Sequence, residues 1–339
     1  MTAMPKTALP RTALPRIALV GAGAMGSLHA RVLAQSTRCE LALVVEPDAE
    51  AGQRVADRWS TRWVPELPSL SGPDGADRID AVVLASATET HYPLAMTVLE
   101  SGKPLLVEKP VCADLADTER VIECAQRNDL PVMCGFVERY NPAVLTALAL
   151  IDRPVHLAAA RHSPFVPRVR TGVGWDLLVH DVDIAIRCLG SEEPKTVTSG
   201  VGHFHPDSGP HAEDVVETVL GFPGGALATV SASRIGQRKV RSLTITEVER
   251  LIEVNLLRRD VTIYRHVSGE AATPDGRGYR QQTIIEIPEL VTAAEPLASQ
   301  LDHFLDLVTG RADADAERRS ILPAHRVVDQ VLAAPPSGS

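Results

Sequence analysis

The stretch Arg16-Ile-Ala-Leu-Val-Gly-Ala-Gly-Ala-Met-Gly26 decides the fold. An apolar run predicts a first β-strand, and a glycine-rich turn and an apolar-periodic helix follow it directly. In the spacing G-x-G-x-x-G the first glycine permits the tight turn, the second lets the backbone approach a pyrophosphate, and the third allows close helix packing. The amino terminus of the helix then faces the anionic phosphates. The predicted cofactor-binding residues of this turn are Gly21, Gly23, Ala24, Met25 and Gly26.

An acidic residue, Glu46, stands twenty positions beyond Gly26, at the end of the predicted second strand. A carboxylate at this place accepts hydrogen bonds from the adenine ribose hydroxyls and repels a 2′-phosphate, which predicts NAD in preference to NADP. The alternative is a solvated loop carboxylate, since Asp48 and Glu50 are close by. Arg54 could serve a 2′-phosphate, so NADP remains possible.

Strands and helices alternate as far as residue 134. Such alternation predicts a parallel sheet with both faces covered by helices. The third strand follows a Pro/Gly-rich loop around residues 65–78. The predicted strands are 16–20, 41–45, 81–85, 104–107 and 131–134, and the predicted helices after the first are 91–102 and 114–128.

Beyond about residue 153 the pattern changes to alternating apolar and polar runs separated by turn-rich stretches, which predicts a mostly antiparallel sheet. The fold class is therefore α/β, a Rossmann dinucleotide-binding domain followed by an α+β domain with an open sheet. We expect a disordered tail at 1–15, the Rossmann domain at 16–139 and the substrate-binding and oligomerisation domain at 140–335. The predicted later elements are strands 194–201, 215–222, 226–233, 242–246 and 283–287, turns 223–225 and 274–276, and helices 176–189 and 296–309.

Composition limits the class of protein. A chain of 339 residues with 45% hydrophobic residues is long enough for two packed domains. No apolar run reaches the roughly 18 residues of a membrane helix, and a net charge of −9 without a basic face argues against nucleic acid. Five cysteines without a CxxC pair argue against disulfides and zinc. We expect a cytoplasmic protein without membrane, nucleic-acid or metal partners.

Five segments in order carry a resemblance to the Gfo/Idh/MocA family of sugar and cyclitol oxidoreductases, from Arg16 to about Leu332. Each segment alone is modest, and their order and spacing together are specific. The segments are the glycine turn, Ala85-Ser-Ala-Thr-Glu-Thr-His91, Glu108-Lys-Pro110, Gly135-Phe-Val-Glu-Arg-Tyr-Asn-Pro142 and Trp175-Asp-Leu-Leu-Val-His-Asp-Val-Asp183.

The resemblance implies that Lys109 lies by the nicotinamide and the reacting carbon, next to Glu108 in the cofactor site. A lysine at a strand end can polarise a carbonyl or stabilise an alkoxide; without the resemblance it would be a surface lysine. The resemblance also implies that Asp176 binds substrate and that His180 is the acid/base. Residues four apart on a helix share one face, so these two side chains could meet one substrate hydroxyl.

Other interpretations of this helix stay open. A lone helical histidine is more often structural, and Asp183 could orient the ring of His180 rather than contact substrate; Asp181 is a further neighbouring acid. A His/Asp metal site is conceivable, but no further ligands converge in the motif.

Secondary candidates complete the predicted site. Thr88 and His91 are expected to line the nicotinamide side, although His91 also suits the start of a helix. Arg139 and Asn141 are candidate substrate-binding residues, although Asn141 before Pro142 also fits a helix N-cap. Arg161, with two further arginines within residues 161–172, could grip a diphosphate or form a solvated loop.

The predicted function is hydride transfer between a nicotinamide and a ring carbon of a sugar. The amino-acid sequence of the last two segments most resembles the branch of the family that includes UDP-N-acetylglucosamine 3-dehydrogenases. This resemblance implies a nucleotide-linked or amino sugar as substrate. The alternatives are a cyclitol or free-sugar dehydrogenase, an enzyme that recycles a tightly held NAD, and a non-catalytic dinucleotide-binding protein. A homodimer or homotetramer is expected, because residues 226–233 leave an apolar sheet face that one helix is too small to bury.

Overall fold

The computed structural model describes residues 14–70, 78–167, 171–190, 193–209, 212–273 and 276–333, and side chains within 270–280 are not described. The predicted tail therefore lies outside the described residues up to position 13. The same holds for positions 71–77 of the predicted Pro/Gly-rich loop and for Pro274 and Asp275 of a predicted turn.

The described chain divides into two units. The first contains the residues up to Val137 and the segment Leu297–Leu322, and the second contains Glu138–Pro296 and the residues from Pro323 onward. The expected boundary near residue 139 lies within two residues of the observed one. The assignment of all of 140–335 to the second domain is corrected, because the chain returns to the first unit near its end.

Six described strands form the parallel sheet of the first unit, in the order β3-β2-β1-β4-β5-β6. This order is that of a Rossmann domain, as expected. The extra strand β3 escaped prediction because its three residues are half-buried or exposed and form no apolar run. The strands are β1 (Arg16–Val20), β2 (Glu40–Val45), β3 (Arg62–Val64), β4 (Ala81–Leu84), β5 (Leu105–Val107) and β6 (Val132–Cys134).

Helices α1 to α4 connect these strands, and polar caps set where two of them begin. The Asp48 carboxylate accepts the Ala51 N–H at 3.0 Å at the start of α2. The Asp114 carboxylate accepts the Asp117 N–H at 2.8 Å at the start of α4. Such caps satisfy N–H groups that the helix itself cannot pair. The helices are α1 (Ala24–Gln35), α2 (Ala49–Trp59), α3 (His91–Glu100) and α4 (Leu115–Arg127).

The register of the parallel strands collects the loops of interest at one edge. Val20 pairs with Val45 and with Leu84, and Leu84 pairs with Val107. The glycine turn, Glu46, the turn after β4 and Lys109 therefore all follow one row of strand ends. Ligands of doubly wound sheets bind at this carboxyl edge.

The second unit is built on a sheet of eight described strands in the order β14-β13-β12-β11-β7-β10-β9-β8. Only β7 and β10 pair in parallel among the strand pairs of this described sheet, so the expectation of a mostly antiparallel sheet is confirmed. Three of these strands, β7, β12 and β13, were not predicted. The elements are α5 (Pro142–Leu150), β7 (Pro154–His162), a π-helical turn (Gly174–Leu178), α6 (Val179–Cys188), β8 (Thr196–Gly202), β9 (Val215–Gly221), β10 (Leu227–Ser233), β11 (Val240–Glu247), β12 (Leu251–Asn255), β13 (Asp260–Thr273) and β14 (Gly276–Glu286).

The two faces of this sheet differ in chemistry. Along β10 the buried residues Ala228, Val230 and Ala232 alternate with the exposed or half-buried Leu227, Thr229 and Ser231. The apolar face packs on α6, and α5 covers β12 and β13. The expectation of an apolar face left uncovered is therefore wrong for this strand, whose open face is largely polar.

The carboxyl-terminal helices belong to different units. Helices α7 (Pro296–Val308) and α8 (Ala314–Arg319) lie in the first unit and α9 (Leu322–Ala333) lies almost wholly in the second. Arg38, between α1 and β2, holds α7 through Asp302 at 2.9 Å and Asp306 at 2.5 Å. Within the described chain, no helix combines the length and apolarity needed to span a bilayer.

Candidate active site

The glycine turn has the geometry that the motif predicted. Gly21 has a φ of 99°, and a Cβ there would lie 2.6 Å from the Ala85 carbonyl oxygen. A Cβ on Gly26 would lie 2.0 Å from the Gly21 carbonyl oxygen, whereas a Cβ on Gly23 meets nothing within 4 Å. The turn is thus closed toward the sheet and open at Gly23, which fits a pyrophosphate approaching the backbone.

The amino terminus of helix α1 carries no side chain that would compete with a bound anion. Gly23 is its N-cap and provides no side-chain capping bond, and this fully described helix has no acidic residue in its first turn. Ala24 and Met25 are its first two residues. Their N–H groups, at the positive end of the helix, suit a phosphate.

Glu46 is the acidic residue that reaches the glycine turn. Its Oε2 accepts the Ala22 N–H at 2.7 Å and its Oε1 accepts the Asp48 N–H at 3.1 Å. The other carboxylates nearby are engaged elsewhere, since Asp48 caps α2 and Glu50 lies 3.5 Å from Arg54. Both partners of this last pair are exposed.

Glu108 faces the interior of the first unit. Its Oε1 lies 2.7 Å from His29 Nε2, and its Oε2 accepts the Lys109 N–H at 3.3 Å. A Cβ on Gly135 would lie 2.9 Å from the Glu108 carboxyl carbon, so the glycine makes room for this acid. The predicted cofactor contact of Glu108 is corrected to an internal role that links α1 to the strand end carrying Lys109. Its partner, His29, was not among the predicted site residues.

His91 holds the other side of the Lys109 segment. It begins α3 and is buried, with Nδ1 at 2.9 Å from the Pro110 carbonyl oxygen and Nε2 at 3.2 Å from the Ser86 carbonyl oxygen. The ring therefore ties the turn after β4 to the residue after Lys109, which supports the helix-start interpretation over a nicotinamide contact. Thr88 is half-buried and opens the short turn Thr88–Thr90 that precedes α3.

Asp176 and His180 lie on consecutive helical segments. Asp176 is in the π-helical turn, where the Val179 N–H donates to the Gly174 carbonyl five residues back, and His180 is in the first turn of α6. The predicted helix is confirmed, but its first turn is wider than an α-helical one. Such π-bulges occur frequently at functional sites. The Asp176 carboxylate, partly exposed, lies 4.0 Å from the Arg234 guanidinium.

Asp183 and Arg139 form a buried pair. Arg139 donates to the two oxygens of Asp183 at 2.8 and 2.6 Å, and Arg187 lies 3.4 Å from the same carboxylate. A bidentate pair of this kind engages both carboxylate oxygens. The predicted roles of Asp183 in orienting His180 and of Arg139 in binding substrate are therefore corrected.

Arg161 is also used internally. It is 2% exposed, donates to Asp181 at 2.9 and 2.8 Å, and reaches Glu138 at 3.0 Å. Burial by itself lowers the pKa of Arg161, but these two carboxylates raise it above its usual value. A fully buried, doubly paired guanidinium does not bind a diphosphate, which corrects that prediction. The two other arginines, Arg168 and Arg170, lie outside the described residues.

Asn141 is the N-cap of α5. Its Oδ1 accepts the Ala143 N–H at 3.1 Å, and its amide donates to Glu138 at 2.9 Å and to the Leu256 carbonyl at 3.2 Å. The N-cap interpretation therefore replaces the substrate-binding one. In the described part of the chain, no group of three or more His, Cys, Asp or Glu side chains is arranged to hold a metal ion.

Two residues near Asp176 were not anticipated. The Glu213 carboxylate accepts the Gly174 N–H at 2.6 Å, and burial raises its pKa. Arg234 is buried and donates to the Thr171 carbonyl. Both are distant in sequence from the helix that they contact, so no local motif could have identified them.

Comparisons with known proteins agree for both units. A model of an oxidoreductase family with an NAD-binding Rossmann fold matches residues 15–136, and a GFO/IDH/MocA C-terminal domain model matches residues 146–247. The chain is 26% identical to a UDP-N-acetylglucosamine 3-dehydrogenase of Acidithiobacillus ferrooxidans, over 91% of this chain and 94% of that one. It is 30% identical to an inositol 2-dehydrogenase of Acidothermus cellulolyticus, over 75% of this chain and 76% of that one.

Solved structures show the same fold. The structure of the Acidithiobacillus ferrooxidans enzyme superposes with a TM-score of 0.77, covering 94% of this chain and 99% of that chain at 26% identity. A levoglucosan dehydrogenase in complex with NADH and levoglucosan also gives 0.77, covering 94% and 96% at 19% identity, which establishes a shared fold alone.

Proposed function

The chain belongs to the Gfo/Idh/MocA family of oxidoreductases with an NAD-binding Rossmann fold, and on that premise we propose that it oxidises or reduces a ring carbon of a nucleotide-linked or amino sugar. It is an NAD-dependent enzyme that acts on CH–OH groups. The sugar class rests on similarity to the UDP-N-acetylglucosamine 3-dehydrogenase over 91% of the chain.

The first unit would hold the cofactor. NAD, when bound, supplies the nicotinamide that accepts or returns the hydride. The open side of Gly23 and the N–H groups at the start of α1 suit its pyrophosphate. Glu46, already directed at the glycine turn, suits the ribose hydroxyls.

Three side chains share the proton chemistry in this proposal. In the oxidation direction the His180 imidazole takes the proton from the reacting hydroxyl as the hydride leaves the same carbon. The Lys109 ammonium stabilises the negative charge that develops on that oxygen, and the Asp176 carboxylate orients the hydroxyl. Reduction runs the same roles backwards.

The observation that carries the proposal is the row of strand ends in the first unit. Val20 and Val107 both pair with Leu84, so the glycine turn after β1 and Lys109 after β5 follow strand ends on either side of β4 at one sheet edge. Ligands of such sheets bind at the carboxyl edge, and a lysine at this edge could stabilise negative charge on the reacting oxygen. A non-catalytic dinucleotide-binding protein has no use for this pairing of motifs.

A cyclitol is the second candidate substrate, because the inositol 2-dehydrogenase relative reaches 30% identity. Both candidates present a secondary ring alcohol, and the same residues would serve either one. What differs is the rest of the molecule, since a nucleotide-linked sugar carries a diphosphate and a base.

A substrate panel tests the proposal. Purified protein is incubated with NAD or NADP and with sugars, cyclitols and UDP- or TDP-linked sugars, while nicotinamide absorbance is followed and products are identified by NMR. We expect NAD reduction with a UDP-linked amino sugar and a ring-ketone product. Product without net NADH would indicate an enzyme that recycles its cofactor within one turnover. Tight NADH binding without product from any compound would overturn the proposal in favour of a dinucleotide-binding protein.

We also propose a cytoplasmic homodimer or homotetramer that associates through the open face of the second sheet. The five cysteines are all buried thiols without disulfides, as in a reducing compartment. On the open face, Val219 and Leu227 are 44% and 47% exposed. A second copy would cover them together with the polar residues of β9 and β10.

A further inference from the structure

The π-helical turn that carries Asp176 is held at its beginning by one buried carboxylate. Glu213, two residues before the start of β9, is 4% exposed, and its Oε1 accepts the Gly174 N–H at 2.6 Å. Gly174 is the first residue of the turn, and its N–H is among the groups that the helix itself leaves unpaired. A carboxylate there also lies at the positive end of the helix.

The chain around this contact is shaped to admit the carboxylate. A Cβ on Gly172 would lie 2.0 Å from Glu213 Oε2, and a Cβ on Gly174 would lie 3.0 Å from Oε1. Neither glycine has a positive φ, so backbone conformation does not require glycine there. The absence of a side chain at Gly172 instead leaves the space that the acid fills.

The segment is fixed on both sides of Gly172. The Val173 N–H donates to the Glu213 carbonyl at 3.1 Å, so main chain and side chain of one residue both hold the turn. The Thr171 carbonyl accepts a hydrogen bond from the Arg234 guanidinium. The main-chain N–H of Arg234 donates to the Asp214 carbonyl at 2.9 Å. Glu213 and Arg234 therefore determine together where the turn begins.

We propose that Glu213 is a positioning residue for the reaction: by accepting the Gly174 N–H it sets the start of the π-helical turn and hence the places of Asp176 and His180. This inference rests on the proposed function, in which both side chains act on the reacting hydroxyl. Asp176 lies two residues beyond the bond, and His180 lies in the next turn. A misplacement of about 1 Å in such groups can cost about 10²-fold in rate.

Variants of Glu213 test the inference, with Glu247 as a matched control. Glu247 is a buried acid of the same unit that likewise accepts backbone N–H groups, from Asp152 at 2.6 Å and Arg153 at 3.1 Å. The two acids lie at opposite ends of the strands of the sheet. Glu247 pairs with Pro154, the first residue of β7. The start of β9, next to Glu213, pairs with Ser233, which pairs with His162 at the last residue of β7.

Glu213→Leu removes the acceptor but keeps the volume, and we expect kcat to fall about 10²-fold with the Kd for NAD unchanged. Glu213→Gln keeps an oxygen that can accept the Gly174 N–H, so its kcat should stay within a few-fold of wild type. Glu247→Leu should lower thermal stability but leave the kcat of the folded protein unchanged. Amide exchange of a peptide spanning 174–180 should accelerate in Glu213→Leu and not in Glu247→Leu.

Wild-type kcat in folded Glu213→Leu would overturn the inference, as would equal losses in the leucine and glutamine variants. If Glu213→Leu does not fold, Gly172→Ala, which pushes the carboxylate aside, serves in its place and should give the same loss of kcat. A wild-type protein that turns over no substrate refutes the proposed function instead. In that case unchanged amide exchange at 174–180 in the leucine variant would still refute the positioning role.

Discussion

Glu46 is expected to set the choice between NAD and NADP. Replacing it with serine removes the carboxylate at the glycine turn and the charge that opposes a 2′-phosphate. Hydrogen bonds to a charged group contribute about 1.5–3 kcal/mol, so NAD binding should weaken by about 10- to 100-fold, with less weakening for NADP. Titration of each dinucleotide by nicotinamide fluorescence measures both constants. Glu50→Ser is the control, because Glu50 is 92% exposed and pairs with Arg54; an unchanged preference in Glu46→Ser would show that another residue reads the ribose.

Lys109 and His180 are expected to carry the chemistry rather than cofactor affinity. A positioned acid/base contributes about 10²–10⁴-fold in rate, so Lys109→Ala and His180→Ala should each lower kcat by roughly that factor and keep the Kd for NAD within a few-fold. Because both are proposed to act on one oxygen, the double variant should lose much less than the product of the two single losses. Lys103→Ala, at the opposite end of β5, should retain full turnover. Near wild-type turnover in His180→Ala would move the acid/base role to Asp176.

At the scale of elements, Asp214 is expected to make the stability of the loop between β8 and β9 depend on pH. It accepts the Phe204 and His205 N–H groups at 2.7 Å each and the Ser208 hydroxyl at 2.5 Å, and the His205 ring stacks on Phe165 at 3.6 Å. Burial by itself raises the pKa of Asp214, but these bonds and Arg234 together lower it below its usual value. A lowered carboxyl pKa gives stability that is complete above the unfolded value of about 3.9 and is lost as the pH falls through the folded value.

Asp214→Asn should therefore cost about 1–3 kcal/mol in the free energy of unfolding at pH 7, and the difference from wild type should shrink below about pH 4. Denaturant unfolding over a pH series measures it. Asp207→Asn, an exposed acid of the same loop, is the control and should change little. A loss that stays constant down to the acid limit would show that the charge of Asp214 is not what holds the loop.

At the scale of the whole molecule, sedimentation should show a dimer or tetramer at micromolar concentration. Val219→Lys, on the open sheet face, should shift the protein toward monomer, because it would bury an unpaired charge at the proposed contact between two copies. Val248→Lys, in the turn between β11 and β12 where the side chain is 86% exposed, should leave the assembly intact. Sedimentation of wild type as a monomer alone would refute the proposed association.

The sequence by itself determined the features that depend on neighbouring residues. The glycine turn of α1, the acid after β2, the alternation of the first unit and the position of Lys109 each follow from short spacings, because a turn, a cap or a strand end is built from adjacent residues. The helix of Asp176 and His180 was likewise predicted, and only its π-helical first turn escaped.

Only the tertiary structure decided which charged groups remain for function. Arg139 and Arg161 are residues of a type that often binds substrate. In the fold, however, each forms a buried ion pair with an acid 20 or more residues away in sequence. The contact of Glu213 with Gly174, 39 residues away, likewise depends on the tertiary structure. So does the return of α7 and α8 to the first unit. Long-range pairing of buried charges depends on which strands become neighbours, and a linear pattern does not carry that information.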